Sequence, residues 1–202
     1  MKIACLGWGS LIWKPDALPV AGEWQTDGPL LPIEFARIGD GGEVATALCI
    51  NAEPVPVLWA MLTVTDIAAA CAALREREAI PDERCDGVGI LTATAHTPGP
   101  LAEWARQRAL DAVIWTDLPP RFQHTEGLIP GCEAVLAHLS SLSGETAAHA
   151  FDYLRRVPAQ IATPYRSHLM RRIDELTADR PSTHASCATP PGAHSGQPAN
   201  LS

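Results

Sequence analysis

The chain opens on an apolar run, Ile3 to Leu6, that meets Gly7-Trp8-Gly9-Ser10, then the apolar pair Leu11-Ile12, a second tryptophan and Lys14-Pro15. This pattern predicts a strand running into a tight loop, with the glycines placed where φ is positive or a backbone comes close to something else. Residues 16 to 31 are rich in Pro, Gly, Ala and Trp without a sustained period, and read as a covering loop or short helical turns rather than core. Leu31 to Ile38 and Val44 to Ile50 flank Asp40-Gly41-Gly42 and predict a hairpin. Pro54 and Pro56 separate it from a third apolar strand, Val57 to Val64.

Asp66 to Glu78 is the clearest helix, capped by Thr65 or Asp66, filled with alanine and kept from continuing by Pro81. At about 100° per residue, Ile67, Ala70, Cys71 and Leu74 share one stripe, and Glu78 falls within it, about 20° from Ile67. Glu76 lies about 180° away and is expected in solvent, with Arg75 and Arg77 flanking the stripe. A carboxylate ending a buried face is desolvated, which raises its pKa and suits it to proton transfer near neutral pH. The alternatives are a frayed last turn that releases Glu78 to water and a simple pairing with a flanking arginine.

Farther on, Asp86 to His96 predicts a strand, Pro100 to Leu110 a helix, and Asp111 to Trp115 a short strand that ends in the loop Thr116 to Phe122. Residues Gly131 to Leu142, Gly144 to Arg156 and Pro164 to Leu176 carry apolar spacings of three and four, and predict helices covering the sheet or barrel. From Thr177 to Ser202 the composition turns to Pro, Ser, Thr, Ala and Gly, so one domain over residues 1–176 and a disordered tail over 177–202 are expected.

Composition narrows the function classes. A net charge of −8 with 15 scattered Lys and Arg excludes a nucleic-acid surface as the main partner. No apolar stretch is long enough for a membrane span and no secretory leader is evident, so a cytoplasmic protein is expected. The six cysteines form no C-x-x-C pair, and five of them lie in apolar or strand-like surroundings and read as small buried hydrophobes. The seven histidines form no short ligand pair, so a zinc site is not expected.

Three local readings compete for the opening loop. A dinucleotide fingerprint fails because Ile12 stands where the third glycine belongs, and a nucleophile elbow fails because Ser10 follows Gly9 directly. A plain glycine turn with packed tryptophans survives both tests. Leu6-Gly7-Trp8-Gly9-Ser10-Leu11-Ile12-Trp13-Lys14-Pro15, however, resembles the opening of the ChaC-type branch of the gamma-glutamylcyclotransferase superfamily. In Leu74-Arg75-Glu76-Arg77-Glu78 the chain also resembles the stretch that carries that family's single catalytic glutamate. A weaker likeness covers Phe35, Ala36, Arg37 and Asp40 to Gly42, and the whole extends over about the first 95 residues.

The resemblance implies an α+β fold, a mixed β-sheet curled into a partial barrel and surrounded by helices. It implies cyclisation of a γ-glutamyl group to 5-oxoproline with release of an amine or peptide and with no metal or organic cofactor, glutathione or a γ-glutamyl amine being the substrate. Glu78 would then be the acid/base, and Gly7, Trp8, Gly9, Ser10, Leu11 and Ile12 the substrate cradle. The family tyrosine in the loop is Trp8 here, which removes a hydroxyl, and the two tyrosines of the chain, Tyr153 and Tyr165, both lie in its helical half. A non-catalytic small-molecule-binding or interaction module on the same fold, and a γ-glutamyl amide-transfer enzyme, stay open beside cyclisation.

Overall fold

In the computed structural model, residues 1–178 are described. The chain is of mixed α+β class, with two mixed sheets, one a curled half-barrel, and five α-helices among the described residues. The first sheet is built from β1 (Ile3–Gly7), β2 (Val20–Gln25), β6 (Leu58–Leu62), β7 (Gly87–Thr92) and β8 (Ala112–Asp117), in the order β2-β6-β1-β8-β7. In the second, β3 (Leu30–Ile38) is central, flanked by β4 (Val44–Leu48), β5 (Pro54–Pro56) and the short hairpin of β9 (Arg121–Phe122) and β10 (Thr125–Glu126). The helices are α1 (Ile67–Arg77), α2 (Pro100–Gln107), α3 (Cys132–Ser141), α4 (Gly144–Arg156) and α5 (Arg166–Ala178).

β1 runs antiparallel to β6 and parallel to β8, in the middle of its sheet. All five of its residues are buried, because the two-residue period sends Ile3 and Cys5 to one core and Ala4 and Leu6 to the other. The smaller core lies under α1, where Ala70 and Leu74 are fully buried and Ile67 and Cys71 pack at its margin. A buried leucine such as Leu74 contributes on the order of 2 kcal/mol. The larger core joins the opposite face of the first sheet to the inner face of the second, beneath α2 to α5. α1 is capped at its start by the Asp66 carboxylate, which accepts from the Ala69 N–H at 2.9 Å.

Several expectations need correction. The stretch 16 to 31 holds an edge strand, β2, and its Leu18 is a core residue. Four of the six β2 residues are exposed, and a register shift between Ala21 and Gln25, a span that includes Gly22 at φ +76°, breaks the alternation that would have marked a strand. The second strand of the hairpin ends at Leu48, leaving Ile50 exposed. Of the cysteines, Cys5 and Cys49 are buried, Cys71 and Cys132 half-buried, and Cys85 exposed in the turn between α1 and β7. Thr177 and Ala178, expected in the tail, belong to α5, and the remainder of the tail lies outside the described residues. No helix among the described residues is long and apolar enough to cross a membrane.

Candidate active site

The end of β1, the last turn of α1 and the end of β8 meet the strands β3 and β4 around a cavity of about 270 Å³. Four residues of the expected cradle, Trp8, Gly9, Ser10 and Leu11, wall it together with Glu78. Gly7 and Ile12 are not on that wall. Gly7 is the last residue of β1, and a Cβ on it would lie 2.5 Å from the Trp24 ring; Ile12 packs against the larger core.

The loop keeps its shape through space rather than through positive φ. Gly9 has φ −143°, and a Cβ there would sit 2.5 Å from the Tyr153 hydroxyl and 3.0 Å from Thr46 Oγ1. From Ser10 the chain winds into a single 3₁₀ turn over Ser10–Ile12, closed by the Ile12 N–H donating to the Gly9 carbonyl at 3.1 Å. The first N–H groups of such a turn, those of Ser10 and Leu11, have no acceptor within it and so remain available as donors.

Glu78 forms the C-cap of α1, one step beyond the buried row of Ala70 and Leu74. It neither frays into water nor stands alone. Its side chain is 16 % exposed and accepts from Arg77 Nη1 at 3.0 Å. Burial pushes its pKa up, while Arg77 and, more distantly, Arg37 pull it down, and burial prevails. The Thr116 hydroxyl, buried at the end of β8, lies near enough to favour the charged form without making a hydrogen bond of good geometry.

Arg77 connects the two halves of the site. Its Nη2 donates to Ser10 Oγ at 2.9 Å and its Nε to the Lys14 carbonyl at 3.0 Å, so one guanidinium fixes the loop against the glutamate. The Ser10 hydroxyl thus accepts from an arginine, which suits a positioning role rather than a nucleophilic one.

Sequence reasoning missed the opposite wall. Tyr153, on the buried side of α4, brings its hydroxyl to Thr46 Oγ1 at 3.4 Å, and burial raises its pKa. A phenol therefore stands beside Gly9 although the loop itself carries Trp8, whose carbonyl accepts from Thr46 Oγ1 at 3.2 Å. The available signal was a polar-tipped aromatic next to the apolar row Ala147, Ala150 and Leu154. Glu43, Arg37 and Arg121 complete the charged wall. Arg37 is committed to the Pro119 carbonyl and Glu126, and Arg121 to the Ile38 carbonyl and Asp40.

Among the described residues, no group of three or more His, Cys, Asp or Glu side chains is placed to hold a metal ion. Comparison with known proteins finds no matching family model, no similar curated protein and no similar solved structure.

Proposed function

We propose that this protein is a gamma-glutamylcyclotransferase-like enzyme with a cyclotransferase-like partial-barrel fold, converting a γ-glutamyl compound to 5-oxoproline and a free amine or peptide. The observation that carries the reading is the meeting, on one small cavity, of the Trp8 to Leu11 loop with Glu78, a carboxyl of raised pKa.

In this reading the loop holds the γ-glutamyl group folded, with its α-amine against its own γ-carbonyl. Closing a five-membered ring then needs little beyond positioning. Glu78 takes a proton from the α-ammonium, and the free amine attacks the γ-carbon. A new C–N bond forms as the carbonyl pair moves onto oxygen. The N–H groups of Ser10 and Leu11 are the donors available to that oxyanion, and the Tyr153 hydroxyl joins them by turning its proton away from Thr46 Oγ1. Collapse breaks the bond to the departing nitrogen, which receives the first proton from Glu78, and the ring nitrogen then gives up its remaining surplus proton to the freed Glu78 carboxylate, which passes it to the departing amine or to solvent. Arg77 keeps Glu78 and the loop in register throughout.

The test is a panel of γ-glutamyl compounds, glutathione among them, assayed for free 5-oxoproline with and without an added amine. Release of 5-oxoproline that is independent of the amine supports cyclisation. A new γ-glutamyl amide in place of 5-oxoproline would mean amide transfer, and saturable binding with no product a non-catalytic module.

A further inference from the structure

Ser10, Glu43, Arg77 and Tyr153 also wall an adjoining cavity of about 240 Å³. Its remaining wall brings in Trp13, Lys14, Asp16, His149 and Asp152, and nearly every charge there has a partner. Lys14 faces Asp16 at 3.8 Å, Asp152 pairs with Arg156 at 2.8 Å, and Arg77 is held by Ser10 and Glu78. Glu43 is the most weakly held. Its Oε2 is buried and makes no hydrogen bond among the described residues, and its one ion-pair neighbour there is His149 Nε2, at 3.5 Å on a side chain 59 % exposed.

A buried carboxylate oxygen whose nearest nitrogen is an exposed imidazole, too distant for a hydrogen bond of good geometry, is costly, and the fold nonetheless makes room for it. A Cβ on Gly41 would lie 2.8 Å from that same oxygen. The same cavity is walled by two aromatic rings, Trp13 and Tyr153, edge to face with centroids 5.4 Å apart. A carboxylate and aromatic rings around a small cavity attract an organic cation.

Building on the cyclotransferase reading, we propose that Glu43 receives a positively charged group on the departing half of the substrate, so that γ-glutamyl amides of diamines and similar basic amines are preferred. The α-ammonium is the poorer occupant, because a carboxylate beside it favours the charged form and delays its conversion to a nucleophile. A departing group that carries a carboxylate at this point, as the dipeptide of glutathione does, would meet Glu43 in repulsion.

The experiment compares two substrates of equal length, the mono-γ-glutamyl amides of 1,4-diaminobutane and of pentylamine, which differ by an ammonium in place of a methyl. The wild type should favour the diamine amide in kcat/KM by about 10- to 100-fold, and Glu43→Gln should bring the ratio of the two toward one. Equal kcat/KM values in the wild type, or a ratio that Glu43→Gln leaves unchanged, would overturn the proposal. If neither amide yields 5-oxoproline, the cyclotransferase reading fails on its own, and calorimetry with free 1,4-diaminobutane decides the cation site. Saturable binding that Glu43→Gln abolishes supports it; no binding to the wild type overturns it.

Discussion

Gly9 must lack a side chain for reasons of space, since the Tyr153 hydroxyl and Thr46 Oγ1 occupy the place a Cβ would take. Gly9→Ala should cost about 1–3 kcal/mol in urea unfolding, and Tyr153→Phe in the same chain should recover part of it by removing the colliding oxygen. Simple additivity of the two changes would show that the clash is relieved elsewhere. For Glu78, burial lifts the folded-state pKa above the unfolded one, so the folded chain binds that proton more tightly. Its contribution to stability is complete below the unfolded value and is lost as pH rises through the folded one. The wild type should therefore lose stability relative to Glu78→Gln as pH climbs above the ordinary glutamate value. Parallel urea titrations from about pH 4 to about pH 8 check this, and a constant difference between the two proteins would contradict it.

Among the elements, α1 and α2 stop in the same way. Each places an alanine in the left-handed region just after the cap, Ala79 at φ 50° and Ala109 at φ 53°. In each, the next N–H reaches back to a carbonyl one turn earlier, Ile80 to Arg75 at 2.9 Å and Leu110 to Ala105 at 3.0 Å. Glycine fits that position without a Cβ penalty. Ala109→Gly, away from the cavity, should thus stabilise the fold by about 0.5–1 kcal/mol, read as a Tm rise of a few degrees in a thermal melt. An unchanged or lower Tm would contradict the strain at that turn. The course of α1 was legible because an unbroken helical period runs from a capping Asp66 through Ala70 and Leu74 to Glu78. β2 was not, because an exposed edge strand whose register shifts between Ala21 and Gln25 carries no alternation. The β9–β10 hairpin hid for a related reason: its turn is Gln123-His124, both at positive φ, without the glycine or asparagine that usually signals such a turn.

On the scale of the whole molecule, the cavity draws residues from the first loop, both sheets, α1 and α4, between Trp8 and Tyr153 in the chain. One half of it, the loop and Glu78, was legible because each part sits in a local pattern: a glycine turn after a strand, and a carboxylate continuing a buried helical row. The other half was not, because only the packing of α4 on β4 brings Tyr153 to Thr46 and to Gly9. Glu34 teaches the same lesson. It is 5 % exposed, and it accepts from the Thr163 hydroxyl at 2.5 Å and the Tyr165 N–H at 3.3 Å, tying β3 to the approach to α5 through partners more than a hundred residues away.

In the proposed reaction Glu78 moves the proton in a cyclisation held by the Trp8 to Leu11 loop. The most direct measurement is 5-oxoproline release from the γ-glutamyl panel by the wild type and by Glu78→Gln, with folding of both verified by circular dichroism. The wild type should release 5-oxoproline, and the variant should lose at least about 100-fold in rate. Equal release from the two proteins would contradict this role, placing the acid/base elsewhere on the cavity wall.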